Sequence, residues 1–158
     1  MQSNRENARS KTEALLREGF LSSGIDERVQ VGEPLAVMFP NGAQHSWFVP
    51  LVAGERLVGF AQLLTSLVPL RVSSFQRHPQ DYDHCPDLAD WIDLERIAAR
   101  AASLARQGER LSAPTLSFDG NPDRLAWRVE AKSSSGKTRR LFVAGTAVYE
   151  DRGTQGLG

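Results

Sequence analysis

The 158-residue chain has a single cysteine, Cys85, so neither an intramolecular disulfide nor an all-cysteine metal cage can form. It has no apolar run approaching the ~20 residues that a membrane-spanning helix needs. Its opening residues, Met1-Gln2-Ser3-Asn4-Arg5-Glu6, lack the apolar core of a secretory signal. It also lacks an excess of charge of either sign. Lys plus Arg and Asp plus Glu each number 19, so no global field draws in nucleic acid or lipid headgroups. These absences set the expectation of a cytoplasmic protein with no membrane partner. The apolar share of 41% and charged share of 24% are those of a globular chain, long enough for one ordinary domain or two small units sharing a core.

What is present is one pattern used twice. Residues 5–64 read as an amphipathic helix followed by three extended segments, and residues 87–149 read the same way. Trp47 and Trp127 stand at matching places in the two middle strands. Phe39 precedes the first across the turn Pro40-Asn41-Gly42, and Phe118 precedes the second across Asp119-Gly120-Asn121-Pro122. In the first copy Ala8, Thr12, Leu15, Leu16, Gly19 and Phe20 fall on one helical stripe. Strands are predicted from Leu35 to Phe39, His45 to Ala53 and Arg56 to Leu64. Pro50 has no N–H to give a ladder, so its strand is predicted to be an edge or to be bulged there. Ser66 to Asp90 is irregular, with room for a strand between Leu67 and Phe75.

The second helix carries Leu94, Ile97, Ala98, Ala101, Leu104 and Ala105 on one stripe and is ended by Gly108. A meander follows. Thr115 to Phe118 is short, and Leu125, Trp127, Val129 and Ala131 then alternate with Ala126, Arg128 and Glu130. Ser133-Ser134-Ser135-Gly136 forms a hairpin loop, and Arg139 to Tyr149 returns with apolar residues on both faces, as in a central strand.

The fold class expected is therefore α+β, with two helix-plus-three-strand units whose antiparallel sheets are covered by helices. The units are residues 1–65 and 87–150, joined by an irregular connector 66–86 and followed by a tail 151–158, all in one compact domain. Leu15, Leu16, Phe20, Val37, Phe39, Trp47, Val49, Leu57, Phe60, Ile97, Ala101, Leu104, Trp127, Val129, Leu141 and Val143 are expected in the core.

Charge is balanced overall but not locally. Six acids lie between Gln76 and Glu95 against Arg77, and six bases lie between Arg124 and Arg140 against Glu130. The bases (Arg124, Arg128, Lys132, Lys137, Arg139 and Arg140) offer phosphate contacts, and an outward Trp127 beside Arg128 would add a stacking platform for nucleic acid. Within them, Ala131-Lys132-Ser133-Ser134-Ser135-Gly136-Lys137-Thr138 comes close to a phosphate-binding loop, with Ala where the first Gly should stand. That chemistry needs a helix after the loop, whereas Arg139-Arg140-Leu141-Phe142-Val143 is β-rich, so a solvated hairpin tip is expected. His78, Asp81, Asp83, His84, Cys85 and Asp87 crowd potential metal ligands together without the spacing of a known site. Cys85 is the only thiol, placed at the start of the second helix, with His84 too near in sequence to serve easily as its base.

Leu125-Ala126-Trp127-Arg128-Val129-Glu130-Ala131, the Gly136 turn and Leu141-Phe142-Val143-Ala144-Gly145-Thr146-Ala147-Val148-Tyr149 together resemble the small PepSY-type domain. Trp47-Phe48-Val49-Pro50-Leu51 with Arg56-Leu57-Val58-Gly59-Phe60 resembles the same unit, which would place two in tandem. The resemblance implies a helix packed on a three-stranded antiparallel sheet and a binding or regulatory role, peptidase inhibition among them. It transfers no catalytic residue, and Ala144 stands where that family usually has Asp.

The function expected is a non-enzymatic protein-binding or regulatory module, an adaptor or inhibitor, with another protein as partner and no cofactor or metal. Trp127, Arg124, Arg128, Arg139, Arg140 and Pro50 are its candidate contact residues, Pro50 because sheet edges accept added strands. Nucleic-acid binding through the hairpin 124–140, and a small enzyme or metal site in the loop 78–87, are the alternatives.

Overall fold

A computed structural model describes residues 4–18, 28–75, 82–121 and 124–151. The fold is α+β, with two antiparallel sheets and helices, and the chain divides into two compact units. One comprises residues 1–37 and 42–88, the other residues 38–41 and 89–158.

The first unit begins with α1 (Asn4–Arg17), whose buried residues Ala8, Thr12 and Leu15 recur at the spacing of one helical face. Thr12 is fully buried, and its hydroxyl donates to the Ala8 carbonyl at 2.9 Å, so no polar group is left unsatisfied there. The strands are β1 (Gln30–Val31), β2 (Leu35–Met38), β3 (Gln44–Ala53), β4 (Arg56–Leu64) and β5 (Pro69–Ser74), in the order β1-β3-β4-β5 with β2 also paired to β3. Trp47, Val49 and Leu51 project from one face of β3 into a core with Ala8 and Leu15 of the helix. Each sheet has five strands where three were expected, and β5 occupies part of the expected connector.

Pro50 is not at an edge. Its strand is paired on both sides, with Phe60 of β4 opposite and Gly32 N–H donating to the Pro50 carbonyl at 2.8 Å. In an antiparallel strand a residue's N and O face the same neighbour, so the missing N–H points to the side where Gly32 to Pro34 separates β1 from β2. Proline is thus accommodated at a gap in the ladder. Gly32 makes room for it, since a Cβ there would lie 2.9 Å from Pro50 Cγ. The expected bulge exists one residue on, between Leu51 and Val52.

In the second unit the predicted long helix is two pieces, α2 (Ala89–Ile92) and α3 (Leu94–Ala102). Asp93 separates them in extended conformation, and its carboxylate accepts from Glu95 N and Arg96 N as the cap of α3. Ile97 and Ala101 are buried, but Leu94 is 51% exposed and the helix stops well before Gly108. The strands are β6 (Arg110–Leu111), β7 (Thr115–Phe118), β8 (Leu125–Lys132), β9 (Thr138–Ala144) and β10 (Ala147–Glu150), in the order β10-β9-β8-β6 with β7 paired to β8. The predicted continuous return from Arg139 to Tyr149 is a hairpin. Gly145, at φ +64°, supplies the conformation that a two-residue turn requires, with the Trp91 ring packed beside it.

Residues 38–41 complete this second unit. Ser117 Oγ donates to the Met38 carbonyl at 2.6 Å, and the Phe39 ring meets Phe118 edge-on at 5.8 Å. Phe39 is 37% exposed, a surface contact rather than the core residue expected. Of the other expected core residues, Leu16 and Leu104 are half-buried, Phe20 lies outside the described residues, and the rest are buried.

Candidate functional site

The β8–β9 hairpin carries the basic run, and strand register decides the fate of each base. Arg128, 13% exposed, donates to the Pro40 carbonyl and lies 4.0 Å from Glu130. Arg124 pairs with Asp119 at 3.3 Å, and Arg140 lies 3.6 Å from Asp151. Arg139, 14% exposed, makes a two-pronged contact with Glu109, both bonds at 2.7 Å, and a further bond to the Leu104 carbonyl. Four of the six bases are therefore engaged within the chain, and Lys132 and Lys137 remain as exposed cations. Trp127 does not face outward: it is 6% exposed, and its indole N–H donates to the Trp91 carbonyl at 2.8 Å. The stacking platform of the nucleic-acid reading is turned into the protein.

The hairpin tip is not a phosphate loop of the strand-loop-helix kind, because β9 follows it. Its Gly136 and Lys137 amides are spent on the Ser133 carbonyl and hydroxyl. Within the loop 78–87, His78 and Asp81 lie outside the described residues. The described part forms a clasp: Arg56 donates to the Cys85 carbonyl at 3.1 Å and pairs with Asp87 at 3.0 Å, while Leu57 N donates to the Pro86 carbonyl. Cys85 belongs to the core of the first unit, 3% exposed among apolar side chains, not to the start of a helix. A thiol so placed is shielded from bulk solvent. Among the described residues no group of three or more His, Cys, Asp and Glu could hold a metal ion, and no helix is long and apolar enough to cross a membrane.

Two surface features remain. The first is the outer strand β5. Leu67, in the turn before it, holds φ +72°, a left-handed conformation that costs a non-glycine residue roughly 1–2 kcal/mol. Its side chain packs on the core of the first unit, and Leu64 N donates to the Val68 carbonyl at 2.9 Å. This turn sets Val68 and Leu70 outward, 53% and 46% exposed. Pro69 and a bulge opposite Gln62–Leu63 interrupt the ladder at that end. Arg71 is held inward, with Nε donating to Gln62 Oε1 at 3.1 Å and the guanidinium 5.0 Å from the Phe60 ring.

The second is an open cleft of about 380 Å³ in the second unit, lined by residues of the α3–β6 turn, the β8–β9 tip and the end of β10. Glu109 and Arg139 form its floor. Besides Arg139, Glu109 accepts from the Arg106 backbone N–H at 2.6 Å, and these donors hold its carboxyl well below the usual range, at about 2. Nothing local in the sequence pointed to this pair, whose members stand 30 residues apart. On β10, Tyr149 donates its phenol to Asp119 at 2.9 Å, and burial together with that carboxylate pushes it up to about 12. The chain matches no protein-family model, no curated protein and no solved structure.

Proposed function

We propose that this protein is a non-enzymatic binding module that engages another protein through the leading end of β5. The observation that carries this reading is the pair Val68 and Leu70, both exposed across the start of an outer strand that a strained turn leads into. Pro69 and the bulge disfavour simple strand addition at that end, so a partner would be gripped by the two apolar side chains. The role expected at Pro50 thus moves to β5. A regulatory or inhibitor-like role fits a module that presents a contact surface. The shared pairing scheme, a two-residue strand and a four-residue strand both paired to a long strand, supports reading the units as copies of one ancestral unit.

The test is a photo-crosslinking side chain at position 70, with position 132 as an exposed control, in native lysate. A discrete adduct at 70 is expected, suppressed by excess wild-type protein but not by excess Val68→Ser/Leu70→Ser. Surface changes of this kind shift stability by only about 0.5 kcal/mol, so loss of competition reports contact. Equal labelling at both positions, or competition by the double variant, refutes the reading.

A further inference from the structure

The cleft of the second unit has a chemistry separate from the apolar end of β5. Its basic members are Arg106, Lys137 and Arg139, and its carboxylates are Glu109 and Glu150, so it carries a net charge of +1. The floor pair Glu109–Arg139 is saturated and fixed by the contacts described above. The remaining charged groups are exposed. Arg106 is 68% exposed and only loosely paired, 3.6 Å from Glu150, which is itself 42% exposed and 3.5 Å from Arg139. Lys137 is exposed on the β8–β9 tip that also lines the cleft. The rest of the lining is hydrogen-bonding: Gln107, Ser133, Ser135 and Thr138, with no apolar side chain among them.

A guest must therefore be anionic at one end and hydrogen-bonding along its body. A planar carboxylate is satisfied by one guanidinium fork, as Glu109 on Arg139 illustrates. Two separate cations approaching from different segments suit a tetrahedral group better, because a phosphomonoester presents three acceptor oxygens and about 1.5 to 2 negative charges at neutral pH. A cleft of 380 Å³ falls within the roughly 300–1,000 Å³ of small-ligand sites and leaves space beyond a bare oxyanion. The lining of that space suits hydroxyl groups. A nucleic-acid strand would need a long row of cations, whereas the cleft offers Arg106 and Lys137 beside the fixed Arg139.

We infer that this cleft binds a small sugar phosphate, a phosphomonoester on a polyhydroxylated body, with Arg106 and Lys137 on the phosphate and Gln107, Ser135 and Glu150 on the hydroxyls. The test is a two-dimensional amide NMR titration of the full chain with glucose 6-phosphate, inorganic phosphate, glucose, and sodium chloride at matched ionic strength. Glucose 6-phosphate is expected to give saturable shifts at Arg106, Ser135 and Lys137, inorganic phosphate to bind more weakly, and glucose to give none. Arg106→Gln and Lys137→Met should each weaken binding roughly tenfold or more, the loss of one charge-assisted contact. Both side chains are exposed, and the same spectra show whether each variant is folded. Shifts matching those of sodium chloride, equal affinity for inorganic phosphate, or binding unaltered in both variants would overturn the assignment.

Discussion

Gly59 in β4 is a position where two effects of one added methyl group oppose each other, and magnitudes decide the sign. Replacing glycine by alanine restricts the unfolded chain and stabilises by about 0.4–1 kcal/mol when the native conformation tolerates it. Gly59 has no left-handed backbone to forbid the change. The obstacle is space: a Cβ would fall inside contact with the Ser73 carbonyl oxygen and lie 3.3 Å from Ser74 Cα, both in the facing backbone of β5. Backbone in a hydrogen-bonded ladder cannot turn aside as a side chain can, and overpacking of this kind costs about 1–3 kcal/mol. Gly59→Ala should therefore destabilise by about 1–2 kcal/mol net. For a chain of this size that lowers the melting temperature by roughly 2–8 °C. Gly32→Ala is the internal comparison, because its Cβ meets a side-chain atom of Pro50, whose ring pucker can yield. It should cost less. Circular-dichroism melts with urea titrations measure both, and a Gly59→Ala variant at least as stable as wild type would refute the packing argument.

Further outcomes follow from the second unit. Trp127→Phe removes the indole donor to the Trp91 carbonyl and should destabilise by about 1–3 kcal/mol in urea unfolding; an unchanged midpoint would show that the bond contributes nothing. In absorbance titration at alkaline pH, Tyr149 should ionise near 12 in the folded protein and earlier in Asp119→Asn, since the carboxylate it faces is then neutral. Its raised folded value means that the associated stability is intact below about pH 10 and is lost as pH rises through about 12. Glu109 has the opposite sign: its lowered folded value gives stability present above about pH 4.5 and lost as pH falls through about 2. Glu109→Gln should accordingly flatten the stability profile between those values, and a profile parallel to wild type would contradict the role given to Arg139.

The most legible parts of the sequence were long elements with one wet face. β8 shows this, with Leu125, Trp127, Val129 and Ala131 buried while Glu130 and Lys132 are exposed. β1 and β6 were invisible because two residues carry no period. The Ala144–Ala147 turn was hidden because apolar residues flank Gly145 on both sides, so a hairpin looked like one buried strand. The break at Asp93 was signalled by an acid that can cap a helix, but the apolar stripe runs through it. At the candidate sites the charges could be counted while their partners could not. Asp119, Glu109, Glu150 and Asp151 reach the hairpin arginines only through turns and strand register. Pro50 was informative for the wrong reason: its missing N–H marked a gap between two short strands rather than an edge.

The placement of Met38–Asn41 in the second unit has a consequence during synthesis. The Met38 carbonyl finds the Ser117 hydroxyl 79 residues later in the chain. At roughly 5–20 residues per second, the ribosome takes about 4–16 s to supply that donor and the neighbouring Phe118 ring. For that interval Phe39 stands without its aromatic neighbour, an early-made apolar group within reach of nascent-chain chaperones. Met38 to Asn41 must wait for the last third of the chain, which carries Ser117 and Phe118, before their unit can close around them.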